Sequence, residues 1–180
     1  MIFSREYYER FSESRFYPVV LGVSAFFLML SGLVPFEVVL IPAVAASPSK
    51  WKRISAAATL GSATGAVVLA FAFRSLGRAG LDHLFPTLGA SHGWSVAQDW
   101  MAQYGVWPIV VFAALPIAQA PILAVAGLLQ VSEIAILAAF LCGKSLKYSI
   151  IAYTVVRGEH RFLKRKTTST SSVKVPLSIR

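Results

Sequence analysis

"LVPFEVVLIP", residues 33–42, sets a carboxylate, Glu37, between Pro35 and Pro42 in an otherwise apolar run. A soluble core rarely accepts an unpaired charge. A plain membrane-crossing helix accepts neither the charge nor two helix breakers. The surrounding apolar stretch extends from Pro18 to Pro48. Within it, "AVA" at Ala43–Ala45 resembles a signal-peptidase site. The stretch is too long for the core of a leader and contains a charge, so no cleavage is expected there.

Composition puts this stretch in context. The chain has 180 residues, 56% hydrophobic and 14% charged, whereas a globular domain is about one-quarter charged. That balance predicts an integral membrane protein of one domain. The lone Cys142 excludes an internal disulfide framework. The net charge of +9 is uneven: residues 157–180 hold seven Lys or Arg against one acid, Glu159. Such a tail after an apolar segment reads as a cytoplasmic anchor that feels anionic headgroups. Nucleic acid is the weaker reading, because the tail follows a span directly and lacks interleaved aromatics. Being rich in Ser and Thr, residues 157–180 are expected to be disordered.

Residues 1–17 mix three charges of each sign with six aromatics, which predicts an amphipathic segment lying on a membrane surface. Residues 18–156 form the predicted membrane domain. "SKWKR" (Ser49–Arg53) marks a cytoplasmic side, and Ile54–Phe73 supplies twenty uncharged residues, enough for one crossing. In that span Ala57, Gly61 and Gly65 recur every four residues, a small-residue face for close helix packing. Arg74–Asp99 reads as a connection outside the bilayer. Val96, Trp100, Met101 and Tyr104 are expected to share a face of a surface helix. Gly105–Leu129 is apolar again and carries Pro108, Pro116 and Pro121. Ile134–Val156 is a second span, containing Lys144 and Lys147.

The order suggests two modules, each a proline-broken segment followed by a span. Pro35 lies 26 residues before Gly61, and Pro116 lies 27 before Gly143. With both basic clusters on the cytoplasmic side, each broken segment must enter and leave on one side. At roughly 25–30 residues, each is too short for two crossings of about 20 residues. The predicted fold is therefore all-α, with two inverted modules, each a re-entrant helical hairpin followed by a transmembrane helix. Pro35, Pro42, Pro116 and Pro121 are its expected hairpin breaks. The alternative is four kinked crossings.

Three charges fall at membrane depth: Glu37, Lys144 and Lys147. Each costs about 2.5–3.5 kcal/mol on the lenient insertion scale. Lys147 lies ten residues from Arg157, about 15 Å along a helix, so snorkelling covers only part of the distance. Lys144, Lys147 and Tyr148 share a face at i, i+3 and i+4. Two neighbouring ammonium groups call for an anion, which Glu37 or a phosphate headgroup can supply. The plainer reading, a structural tie between Glu37 and one lysine, leaves the second lysine unexplained. Irregular backbone at membrane depth is tolerated where it is buried or lines a cavity, so a polar cavity is predicted. Gln119, between Pro116 and Pro121, is a further candidate for ligand contact or for a local backbone tie. Asp82, His83 and His92 fit no standard metal spacing, and no metal or cofactor is expected. No nucleophile-elbow, zincin or P-loop motif occurs, so no enzyme activity is expected.

The landmarks from Leu33 to Tyr153 resemble the DedA family of small membrane proteins, which share the VTT (SNARE-associated-type) domain, and its YqaA-like branch in particular. "VPFEVVLIPAVA" resembles the family's first hairpin, and "GSATGAVVLAFAFRSLG" its Gly-xxx-Gly span. "YGVWPIVVFAALPIAQAPILAVAG" resembles its second hairpin, and "GKSLKY" its Gly-Arg-x-x-Arg stretch with lysines for arginines. Two arginine positions of the second hairpin read Ala113 and Gln119 here, and an acidic position of the first span reads Ala66. The resemblance implies lipid transport across an inner or plasma membrane, of polyprenyl phosphates or phospholipids. The expected ligand-binding set is Glu37, Gln119, Lys144, Lys147 and Tyr148, with anionic lipids as partners and a cytoplasmic C-terminus. Rival readings are a scaffold or homo-oligomer assembled through Ala57, Gly61 and Gly65, and an ion or small-solute carrier using the same cavity.

Overall fold

The computed structural model describes residues 14–31 and 35–171, with side chains through residue 158. Every regular element among them is helical. Helix α1 (Tyr17–Ser31) and α2 (Glu37–Ala46) precede a 3-10 turn, Pro48–Lys50, and the long α3 (Trp51–Leu84). Then come α4 (Pro86–Gly89), α5 (His92–Tyr104), α6 (Trp107–Ala114), α7 (Ala120–Leu128) and the long α8 (Glu133–Ser171).

Two stretches, Pro48–Leu84 and Glu133–Gly158, are long and apolar enough to cross a membrane. The other apolar helices are not. Helix α1 has 15 residues and α2 has 10, while α6 has 8 and α7 has 9. At about 1.5 Å per residue, each falls short of the roughly 30 Å of bilayer hydrocarbon.

Local chemistry sets the boundaries. Pro108 and Pro121 occupy the first turns of α6 and α7, where the missing N–H costs nothing. The Ser91 hydroxyl caps α5 by accepting from the Trp94 N–H at 3.2 Å. Gly105, at φ 63°, ends that helix. After α7 the N–H of Val131 reaches Ala126 O and that of Gln130 reaches Gly127 O, a Schellman turn with Gln130 in the left-handed region at φ 54°.

Packing follows an exchange pattern. Helix α1 runs beside α3 in the same direction, Gly22 against Ala57 and Gly61, then Phe26 and Met29 against Gly65. Helix α6 runs likewise beside α8, with Val110 and Ala113 against Gly143. The second arms cross over: α7 lies on α3 through Gly127 against Ala70 and Arg74, and α2 lies on α8 through the cluster of Leu40, Val44, Tyr148 and Ala152. The long helices are antiparallel. Ser55 near the start of α3 donates to the Tyr148 carbonyl at 3.4 Å. At the other end Arg74 pairs with Glu133 and donates to Val131 O at 2.9 Å. One apolar core gathers late α3, early α8 and α5–α7; a second gathers α1, α2, early α3 and late α8.

Several expectations are corrected. Pro42 lies inside α2, which continues through Ala46. A proline there removes one intrahelical hydrogen bond, and packing on α8 holds the helix together. Helix α3 passes Phe73 to Leu84, because no proline intervenes before Pro86; the chain bends at Gly77 (φ 64°) and docks the buried Leu81. The buried face of α5 is Trp94, Ala97 and Met101, while Trp100 and Tyr104 are exposed. Tyr17 is buried and its hydroxyl donates to Ala43 O at 3.3 Å, so it belongs to the packed helices. Of the rest of the expected surface segment, Phe16 is exposed and residues 1–13 lie outside the described residues. The backbone of 157–171 continues α8 where no regular structure was expected, since no Pro interrupts it. Residues 172–180 lie outside the described residues.

Candidate functional site

Helix α8 carries the site at mid-length. Lys147 is fourteen residues after Glu133 and ten before Arg157, about 21 and 15 Å along the axis. The i, i+3, i+4 spacing turns Lys144, Lys147 and Tyr148 inward together. Their relative exposures are 4%, 8% and 0%. Lysines are almost never that buried unless paired, so their partners decide what the site can do.

Lys147 has two partners, and they come from two separate breaks in the chain. Its ammonium pairs with the carboxylate of Glu37, the first residue of α2 after the Pro35–Phe36 turn. It also donates to the Leu115 carbonyl at 3.0 Å. Leu115 is where α6 leaves helical geometry, at ψ 155°, just before Pro116. The break exposes a carbonyl at a helix C-terminus, where a cation is favoured.

Lys144 is differently placed. Its ammonium donates to the Tyr148 hydroxyl at 3.3 Å and lies 5.2 Å from the centre of that ring. Among the described residues it pairs with no carboxylate. The Tyr148 hydroxyl also meets the Ser62 hydroxyl on α3, at 3.0 Å. The two lysines against Glu37 leave one positive charge uncompensated within this group. A buried cation without a counter-charge is costly, and a monoanion entering beside it offsets that cost.

The five residues expected to bind a ligand, Glu37, Gln119, Lys144, Lys147 and Tyr148, all line one cavity of about 270 Å³. Pro35 and Pro116 stand in its wall, with Leu28, Met29 and Leu69 as apolar lining. The structure thus brings both chain breaks and both lysines to one place. Gln119 donates from its side chain to Phe112 O at 3.4 Å, tying the arms of its break together, and still borders the cavity. Pro121 sits in the first turn of α7 rather than in the break itself. Asp82 is remote and pairs with Arg78 at 3.0 Å.

Sequence reasoning missed Ser62 and Phe36. Ser62 is fully buried and supplies the hydroxyl that orients Tyr148. Phe36 packs against the Tyr148 ring at 5.7 Å. Nothing local marks Ser62, since serine in apolar helices commonly bonds its own backbone.

The small-residue face is accounted for within the chain. A side chain on Gly61 would strike the Gly22 backbone, and one on Gly65 would approach Phe26 O to 2.9 Å. Ala57, Gly61 and Gly65 are covered by α1, so this face is not open to a second copy. No family model, curated protein or solved structure matches the chain.

Proposed function

We propose that the protein moves an anionic lipid headgroup across a membrane, through the cavity bounded by Lys144, Lys147, Tyr148, Glu37 and Gln119. In this reading α3 and α8 cross an inner or plasma membrane in opposite senses. The pairs α1–α2 and α6–α7 are re-entrant hairpins of two inverted modules, entering from opposite faces with their breaks near the midplane. Support comes from the antiparallel long helices, the exchange packing of the short arms and the meeting of both breaks at Lys147. In the same reading, the basic residues at the start of α3 and after the span of α8 support a cytoplasmic side for both of those ends and for the C-terminus.

One observation carries the functional reading: Lys144 is a buried ammonium on a cavity wall with no carboxylate partner among the described residues. A phosphate oxygen in the cavity would take Lys144 and the hydroxyl of Tyr148 first. Lys147 can exchange Glu37 for the ligand, so Glu37 acts as the resident rival of the substrate's charge. The apolar lining at Leu28, Met29 and Leu69 suits the start of an acyl or prenyl chain. The resemblance of the sequence to the DedA family points the same way. An oligomeric scaffold built on Ala57, Gly61 and Gly65 is disfavoured, because α1 covers that face.

The test is flipping of a labelled anionic phospholipid or polyprenyl phosphate in proteoliposomes holding the full chain. Lys144→Ala should slow it at least tenfold and Lys144→Arg should retain most of it, while a neutral headgroup moves slowly in both. Wild-type rates for properly inserted Lys144→Ala reject the assignment.

A further inference from the structure

Away from the cavity, the end where α3 begins and the apolar span of α8 finishes carries a chain of cations and rings. Lys52 Nζ lies 5.6 Å from the centre of the Trp51 ring, and the Trp51 and Tyr153 rings are 6.3 Å apart. The Arg157 guanidinium lies 5.4 Å from the Tyr153 ring. Two helix ends from opposite parts of the chain thus share one cation–ring–ring–cation row. Lys52, Tyr153 and Arg157 are all exposed, as is the neighbouring Arg53. No acid among the described side chains pairs with them: Glu37 is held by Lys147, Asp82 by Arg78 and Glu133 by Arg74, and Asp99, the fourth, forms no ion pair among the described residues.

A ring covers one face of each cation and leaves its N–H donors free. Trp and Tyr rings with one apolar and one wet edge settle where hydrocarbon meets water. Below the row an apolar strip continues along α8: Leu146 is 59% exposed and Ile150 is 56% exposed, at the spacing that aligns them with Tyr153. A positive, aromatic head above an exposed aliphatic strip complements an anionic phospholipid in charge and in polarity.

We infer that Trp51, Lys52, Tyr153 and Arg157 form a clamp for the headgroup of an anionic phospholipid, with one acyl chain along Leu146 and Ile150. The inference shares the bilayer placement with the transport reading but concerns a different site, on the outer flank of α3 and α8. A lipid held here stays bound rather than crossing.

The check is a titration of the purified full chain in detergent with phosphatidylglycerol and, separately, phosphatidylcholine, counting bound lipids by native mass spectrometry. Wild type should retain phosphatidylglycerol in preference. Lys52→Gln with Arg157→Gln should weaken that retention about thirtyfold at low salt, on the scale of roughly fivefold per basic residue near an anionic surface. The charge-keeping pair Lys52→Arg with Arg157→Lys should restore it. Arg78→Gln, which removes an exposed cation at the far end, should leave it unchanged. Equal retention of the two lipids by wild type overturns the clamp. So does undiminished binding by the neutral pair, loss in the charge-keeping pair, or an equal loss in Arg78→Gln. Flipping assays on the same neutral pair, whose cavity is intact, read the transport proposal separately.

Discussion

The Lys147 ammonium holds the Glu37 carboxylate at the start of α2 and, with the same nitrogen, the Leu115 carbonyl at the end of α6. Two chain breaks with no contact in sequence are joined through one side chain, and the cavity lies beside that junction. Lys144, one helical turn earlier, lines the same cavity and, among the described residues, has no carboxylate partner. The two lysines therefore respond oppositely to substitution.

Removing the acid leaves Lys147 buried with only a carbonyl to face. Glu37→Gln should destabilise the detergent-solubilised protein by about 3 kcal/mol, the scale for stranding one member of a buried pair. Lys147→Met in the same background should recover most of that loss. Thermal unfolding of both singles and the double gives the coupling directly. Strictly additive losses would mean that the pair does not form.

Lys144→Met should do the reverse for stability. It removes a buried charge with no carboxylate partner among the described residues and keeps the volume, so the melting temperature should hold or rise by a few degrees while lipid flipping falls. A drop in melting temperature comparable to that of Glu37→Gln would show that Lys144 has a compensating partner.

Gly61 and Gly158 form an internal control. A methyl on Gly61 meets the Gly22 backbone, whereas one on Gly158 meets nothing within 4 Å among the described residues. Gly61→Ala should cost about 2 kcal/mol through overpacking of α1 on α3. Gly158→Ala should be neutral or stabilise by up to about 1 kcal/mol, as expected for an exposed helix position. Size-exclusion profiles should show unfolding or aggregation of Gly61→Leu, with no shift from a larger assembly to a folded monomer.

Gln130 occupies a left-handed position that closes α7. A non-glycine residue there costs about 1–2 kcal/mol, and glycine returns part of it in chain entropy. Gln130→Gly should therefore raise stability by roughly 0.5–1 kcal/mol, measured by thermal unfolding in detergent. A loss would mean that the Gln130 side chain makes a stabilising contact of its own.

Much of the site was legible in the chain because its cues are local and energetic. Charges inside apolar runs are expensive wherever they fall, which marks Glu37, Lys144 and Lys147 in the chain itself. Proline removes a hydrogen bond by its own covalent structure, so the turn at Pro35 and the break at Pro116 were visible too. The i, i+3, i+4 spacing placed Tyr148 with the lysines by helix geometry alone.

The long apolar runs, the helical class and the cluster of costly charges belong to the sequence itself, because hydropathy and helix period act over a few neighbouring residues. Which lysine takes Glu37, that Ser62 reaches Tyr148, that Pro42 is tolerated inside α2 and that α1 covers Gly61 were decided by tertiary packing. Each depends on which surface another helix brings within a few ångströms, and hydrogen bonds, ion pairs and backbone collisions are all settled at that range. No neighbourhood along the chain encodes that distance.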